Sequence, residues 1–419
     1  MTRAGRIGAV ARLPLVQSSA ALLLNTGING ALGLAYWVLA ARLDDPSVVG
    51  RGAAGISGLL FVASLGWIGL QQVLLRFLPR AGRDAARLIV RVYAAATAIA
   101  LAAALGFLLY ASGDASLRFL VESPSAILAF LGAVVIWVVF SLQDPALIGL
   151  RRSPWVPLEN LAFGAAKLVL LALLATVASP WAILGSWVLG ASWLIFVVNA
   201  LIRRTTRDDA EPADMPEPRR LVRFAVGQHA IAVVIAAPDS LAPLVVLAIL
   251  GDEATAFYYS AWTVSFTLRL LAVNLGSAVT VEGSRADASS SHLTRQVRFL
   301  APFVILPAVG GVWLLAGFVM GIFGVRYADE ASDLLRLLAA AVIPFTVVTL
   351  FVVGERIAER TSAALVVVTI TTVATLALNV VLLPRYGLVA AGWSWLVAQL
   401  LGLFAAGLIS RRRRVLARG

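Results

Sequence analysis

The chain has no cysteine, two histidines and a single lysine among its 419 residues. Without cysteine there is no disulfide framework and no thiolate metal site, and two isolated histidines do not assemble a metal centre by themselves. Charge is scarce too: Asp, Glu, Lys and Arg make up 13% of the sequence, against a soluble-domain norm of about 25%. Catalytic signatures are missing in the same way. No GxxxxGK[ST], HExxH or GxSxG occurs, which excludes a phosphate-binding P-loop, a zincin site and a hydrolase nucleophile elbow. No cofactor, metal or catalytic residue is therefore expected, and the chain reads as a non-enzyme.

What fills the sequence instead is apolar. Hydrophobic residues make up 60% and mean hydropathy is +0.92, the composition of a membrane protein. A span takes about 20 mostly apolar residues at about 1.5 Å each. Twelve segments qualify: 15–41, 52–75, 90–110, 123–142, 157–178, 181–202, 224–250, 254–281, 299–323, 333–353, 361–383 and 387–410. The first is too long for a signal-peptide core of roughly 7–15 residues and reads as a retained span. The charged, proline-bearing stretch RRTTRDDAEPADMPEPRR reads as a linker. An all-α polytopic fold follows: an N-terminal lobe over 1–202, a cytoplasmic linker over 203–222, and a C-terminal lobe with a basic tail over 223–419.

The formal charge of +12 does not point to nucleic acid, because the arginines fall at segment ends rather than in one soluble patch. Assigned to alternate loops, 26 of the 34 basic residues share the side that carries both termini, and five lie opposite. By the positive-inside rule that side is cytoplasmic. Lys167, Arg269 and Arg336 remain, in or at the edge of spans. The halves also repeat: an offset of 207 pairs LDDP with LGDE, Leu43 with Leu250, Gly185 with Gly392 and Arg204 with Arg411. Six spans, a linker and six more imply two lobes about an axis along the membrane normal, with a substrate site between them near the midplane.

Polar residues inside spans are the candidates for that site, since a charge at the bilayer centre costs roughly 2.5–3.5 kcal/mol on the most lenient scale. Lys167, Asp239 and Arg269 each fall near the middle of a span. Gln228 lies three helical turns from Asp239 on the same face, with His229 beside it, and Pro238 and Pro243 bracket Asp239 and free backbone carbonyls. Tyr258, Trp262, Ser265 and Arg269 form one stripe, and Ser18, Asn25, Asn29 and Tyr36 another. Ser57, Ser64 and Gln71 form a third, and Asn160, Gly164 and Lys167 a fourth. Each has a plainer reading. Ser, Asn and Gln at such spacing serve as interhelical glue; Asp239 and Arg269 can pair structurally; His229 can be a packing residue; Lys167 can snorkel, although its depth favours an interior position. The tryptophans, among them Trp155, Trp181, Trp193, Trp393 and Trp395, read as interfacial or packing residues.

The segment LGLAYWVLAARLDDPSVVGRGAAGISGLLFVASLGWIGLQQVLLRFLP resembles the opening helix pair of bacterial polysaccharide flippases of the multidrug/oligosaccharidyl-lipid/polysaccharide (MOP) superfamily. IFGVRYADEASDLLRLLAAAVIPFTVV and LLPRYGLVAAGWSWLVAQ resemble their ninth-to-tenth span junction and the start of their last span. The resemblance implies two six-helix lobes in a V around a cationic cavity, and export of a polyprenyl-diphosphate-linked oligosaccharide to the outer leaflet of the bacterial inner membrane by alternating access. It places Arg269, Asp239, Asn25, Asn29 and Gln228 on cavity-lining spans and leaves Lys167 on the fifth, a departure. Tyr258 and Trp262 would stack on sugars, and Asp239 would tune the field or carry a coupling proton. Expected partners are the lipid-linked oligosaccharide, membrane lipid, H+ or Na+ as coupling ion, and the polysaccharide polymerase machinery beside a monomeric carrier. A multidrug exporter of the same superfamily is the nearest rival, although two bases facing one acid suit an anionic cargo. A lipid II flippase usually carries two further C-terminal spans, and a glycosyltransferase or polymerase would bring a large outer loop, whereas LDDP, GDE and PRYG are short.

Overall fold

The computed structural model describes residues 14–174, 176, 179–207, 217–283, 290–358 and 360–416, with side chains of the first helix described from Gly27 onward. The elements are α1 (Pro14–Leu43), α2 (Pro46–Phe77), α3 (Ala85–Gly113), α4 (Pro124–Gly149), α5 (Trp155–Leu174), α6 (Pro180–Arg207) and α7 (Pro218–Leu250). They continue as α8 (Asp252–Gly283), α9 (Ser290–Leu314), α10 (Ala316–Phe323), α11 (Val325–Ile357), α12 (Thr361–Tyr386) and α13 (Val389–Leu416), with three 3-10 turns and no strand among the described residues. Eight helices, α2–α6 and α11–α13, are long and apolar enough to cross a membrane, and the bent pair α9–α10 makes a ninth. This is an all-α polytopic membrane protein.

Local chemistry sets the helix starts. Proline opens α2, α4 and α7, where its missing N–H costs nothing and its fixed φ suits a first turn. Ser123 caps α4 by accepting the Ala126 N–H at 3.1 Å. Inside α7, Pro238 cannot bond the carbonyl four residues back, and the Thr372 hydroxyl on α12 donates to that Val234 oxygen at 2.9 Å. The carbonyl that proline frees is thus satisfied by a neighbouring helix, as a membrane interior requires.

Of the twelve expected spans, α1, α7 and α8 are not among those long and apolar enough by their described residues, α7 offering only the shorter apolar stretch Ala236–Leu250, and one other span changes shape. Residues 299–323 read as a single segment, but the helix breaks at Leu315 and α10 turns by 66° from α9. Glycines 310, 311, 317 and 321 flank the break and weaken the helix there. Arg42, at the end of α1, holds the bent piece by donating from Nε to the Ile322 carbonyl at 2.8 Å and from Nη2 to Gly321 at 3.0 Å.

Packing repeats along the chain. Contacts α1/α5, α2/α3, α2/α4, α3/α4, α4/α6 and α5/α6 recur as α7/α12, α8/α9, α8/α11, α9/α11, α11/α13 and α12/α13. The helix ends follow the 207-residue offset, with α1 closing at Leu43 and α7 at Leu250. The two sets meet where α2 packs on α7 and α8, and α1 on α8 and α10. At the acidic-turn end of this seam, Ser116 donates to Asp252 at 2.7 Å, Arg51 lies 3.5 Å from the same carboxylate, and Arg326 pairs with Glu253 at 2.6 Å. Gly50 makes this closure possible, because a Cβ at that position would overlap the Asp252 carbonyl oxygen. At the arginine-rich end, the Arg76 guanidinium sits 4.8 Å from the Phe224 ring centroid and Phe77 meets Phe224 edge-on at 5.4 Å. There Gly69 lets α2 approach α7, with Ala225 O and His229 Cβ each 2.7 Å from where a Cβ would stand.

Candidate functional site

Two buried cations define the site, one among the first six helices and one among the rest. Lys167 on α5 is 7% exposed. Its ammonium lies 4.5 Å from the ring centroid of Trp187 on α6 and 5.1 Å from those of Phe163 and Tyr36. Phe163 stands one turn before Lys167 on the same face, and α1 packs on α5 to bring Tyr36 across. The tyrosine is fixed in turn: its hydroxyl donates to the Ile183 carbonyl at 3.0 Å and lies 2.8 Å from Ser186 Oγ. Among the described residues no carboxylate pairs with Lys167. The cation is held by the negative faces of three rings, a stabilisation of about 0.5–2 kcal/mol per good contact.

Arg269 on α8 is 4% exposed and donates from Nη2 to Asp239 on α7 at 2.8 Å. Its guanidinium also lies 4.2 Å from the Trp262 ring and 5.1, 5.2 and 5.9 Å from Phe266, Trp395 and Phe345. Its Nε is buried without a hydrogen-bond partner among the described residues, and the Asp239 side chain remains 41% exposed. The plainer reading of this pair is realised in its geometry, with the acid still reachable. For Arg269→Leu, Asp239→Asn and the double variant, thermal denaturation should yield a coupling energy of about 1 kcal/mol, at the low end for contacting residues because the acid is part-exposed. The double variant should melt above Arg269→Leu alone, which leaves an uncompensated carboxylate.

Aromatic rings extend from both cages. Tyr36 meets Trp37 edge-on at 5.3 Å, and Trp37 packs on Tyr259 across the α1/α8 contact at 4.5 Å. Tyr258, next in the chain, stacks on Trp262 at 5.5 Å, and Trp262 meets Trp395 at 5.0 Å. Two runs of rings result, one from the lysine across the seam to Tyr259 and one from Tyr258 to the arginine, and they end on adjacent residues of α8.

Several sequence candidates take other places. Tyr258 and Trp262 are 1% and 4% exposed, so in this conformation they are packed among helices, Trp262 against Trp395 of α13, rather than lining an open cavity. Burial of the large apolar ring faces outweighs exposure of their polar tips. His229 does not join Asp239 and Arg269; it packs on Gly69 at the α2/α7 contact and lines a lateral cavity of about 690 Å³. Asn29 is half-buried on α1, and the side chains of Asn25 and Gln228 lie outside the described residues. Trp395, read as interfacial or packing, is part of the Arg269 cage. Sequence reasoning missed Phe163, Trp187, Phe345 and Trp395 as cage walls, since an aromatic in a span looks like packing until its neighbour is known. It also missed Glu159, 4% exposed with neither carboxylate oxygen hydrogen-bonded among the described residues, and its neighbour Asp144, which accepts from Asn160 at 3.1 Å. Only position relative to a span's edge marked these two acids.

No family model matches the chain, and no curated protein matches it in sequence. Solved structures do match in fold. The lipid II flippase MurJ in an inward-closed conformation aligns over 93% of this chain and 87% of its own, with a TM-score of 0.75 and 12% identity. A MOP superfamily transporter from Pyrococcus furiosus, reported for the reverse polarity of its binding pocket, aligns over 96% of both chains with a TM-score of 0.65 and 14% identity. A multidrug resistance MATE family transporter in an inward-facing conformation aligns over 92% and 94%, with a TM-score of 0.60 and 14% identity. Identities this low establish the fold alone, and the fold is that of MOP superfamily transporters.

Proposed function

We propose that this protein is a flippase that carries a polyprenyl-diphosphate-linked oligosaccharide from the cytoplasmic to the outer leaflet for surface polysaccharide assembly. The observation that carries the reading is Lys167, a buried ammonium held by rings instead of by a carboxylate. At mid-span Arg269 is offset by Asp239, and the buried Glu159 lies about two turns from Lys167 along α5, so at its own level the lysine is the cation left for an anionic headgroup to answer. A cationic drug would meet repulsion there, which ranks the multidrug exporter second. Aromatic faces beside both cations suit sugar rings, which stack their C–H faces on apolar planes while their hydroxyls reach polar edges.

Alternating access supplies the path. In this reading the two six-helix lobes, 1–202 and 223–419, rock about the seam, and the polyprenyl tail stays in lipid while the diphosphate and sugars cross between them. In this reading opening draws α1 off α8, and the diphosphate reaches Lys167 once the ring cage that α1, α5 and α6 build around it parts as well. The arginine-rich face is cytoplasmic, and the membrane is the bacterial inner membrane. Asp239, part-exposed and bonded to Arg269, is the group on which a coupling H+ or Na+ acts, by loosening the ion pair when the seam opens. The polymerase machinery then takes the outward-delivered oligosaccharide.

Export in cells tests this. Lys167→Gln and Arg269→Gln, expressed at the wild-type level, should each reduce surface polysaccharide by about 10- to 100-fold, the weight of a charge-assisted bond of roughly 1.5–3 kcal/mol. Lipid-linked oligosaccharide should accumulate on the cytoplasmic side. Wild-type export from both variants would overturn the assignment of the cargo to these cations.

A further inference from the structure

Helices α3 and α7 both pack on α2 but share no substantial contact with each other, so the face of α2 between them stays open to the side. The resulting groove has a volume of about 690 Å³, within the usual range of roughly 300–1,000 Å³ for small-molecule sites. Its floor is Gly66, Gly69, Leu70 and Val73 of α2, and its walls are the Leu88 to Ile99 face of α3 and the Leu221 to His229 face of α7. Those walls are almost wholly apolar. Arg87 and Arg91 stand at one end, the arginine-rich end, where Arg83 and the exposed Arg219, Arg220 and Arg223 lie close in sequence to the lining segments.

We propose that this groove binds one anionic phospholipid, its phosphate at Arg87 and Arg91 and an acyl chain along the floor. Length fits first. From Arg87 to Ile99 is twelve residues of α3, about 18 Å at the helical rise, close to one leaflet's share of a hydrocarbon core about 30 Å thick. Charge fits next. Asp84 engages Nη1 of Arg87 at 2.9 Å, which fixes the guanidinium and leaves its other nitrogens free to donate to phosphate. Basic pockets between helices on the cytoplasmic side are a recurrent way of holding anionic headgroups. The position gives the lipid a consequence, because α3 belongs to the first six helices and α7 to the rest. A lipid wedged between them bridges the seam where Gly69 meets Ala225 and His229, and it favours the closed arrangement of that end.

The test uses purified full-length protein in a zwitterionic detergent, titrated with phosphatidylglycerol or phosphatidylcholine, with thermal midpoint and native mass spectrometry as readouts. Wild type should retain one phosphatidylglycerol, and its midpoint should rise with that lipid and not with phosphatidylcholine. Arg87→Gln/Arg91→Gln should weaken the phosphatidylglycerol response about tenfold. Val226→Trp, on a wall residue 64% exposed, should fill the groove and lose the retained lipid with the arginines intact. Equal responses to both lipids, or unchanged phosphatidylglycerol binding by the double variant, would overturn the proposal. Displacement of phosphatidylglycerol, one for one, by a polyprenyl diphosphate would overturn it too, since the groove would then belong to the cargo. None of these readouts needs transport, so they stand apart from the flippase assignment.

Discussion

Lys167→Met is expected to abolish export while making the protein more stable. The two effects follow from the same contacts. A lone ammonium inside the membrane costs roughly 2.5–3.5 kcal/mol even on lenient scales, and three ring contacts at 4.5 to 5.1 Å, taken at the weak end of about 0.5 kcal/mol each because one ammonium is shared among three rings, return only part of that. Methionine has a similar shape, no charge and a favourable sulfur–ring contact. Replacing even a paired buried charge by well-packed apolar residues is often neutral or stabilising, and this ammonium has no carboxylate to lose among the described residues, so the melting temperature in detergent should rise. Export should fall by at least about tenfold. A structural lysine would behave in the opposite way, with melting temperature, protein level and export dropping together. Lys167→Arg separates charge from shape: it keeps the charge, but its planar fork does not fit a cage set for an ammonium, so partial export at a lower melting temperature is expected.

Gly50→Val should hold the acidic-turn end of the seam apart. A Cβ at Gly50 already overlaps the Asp252 carbonyl oxygen, and Ala256 N lies 3.2 Å from it. Neither is the free end of a flexible side chain, so α2 and α8 must separate. Overpacking of this kind costs about 1–3 kcal/mol or more, and here it is directed at one conformation, the closed one. Export should drop to below about a tenth of wild type. Because the native chain has no cysteine, the opening can be read directly. Ser260→Cys, at a position 1% exposed on α8, should react slowly with a membrane-impermeant maleimide in otherwise wild-type protein and rapidly in the Gly50→Val background. Equal reactivity would mean that the seam absorbs the methyl groups without opening.

Much of this fold was legible in the sequence because a bilayer forces so few solutions. Helix positions followed apolar length, with α1 to α3 and α6 to α8 covering their expected segments, α4 starting one residue late and α5 ending at Leu174, four residues before the expected 178, and the 207-residue offset marked the ends of α1 and α7. Proline chemistry was legible as well, since a freed carbonyl was expected beside Asp239 and Thr372 takes the one at Val234. The break at Leu315 was not, because glycines flank many unbroken helices, and the hold that Arg42 takes on the bent piece comes from 279 and 280 residues away. The candidate site was half legible. Lys167, Arg269 and Asp239 stood out because charge in a span is expensive, whereas the rings around them did not. Tyr36 and Trp187 come from separate helices, and no spacing rule brings them together on Lys167. Tyr258 and Trp262 were assigned to a lining from their stripe alone, but a helical face does not state whether a cavity or another helix lies opposite it.

The repeat of packing between the two halves has one more consequence. Carried across by 207 residues, Lys167 falls on Ala374 and Arg269 falls back on Val62. Neither cation has a counterpart, and they sit on helices that are not equivalent, the fifth of one set and the second of the other. The scaffold is duplicated but its charge is lopsided. On the flippase reading, an anion handed from one half to the other exchanges an ammonium in a ring box for a guanidinium tied to an acid. Two side chains thus make the halves unequal in their hold on an anion, over and above the break that bends α9–α10 and leaves α3 unbroken.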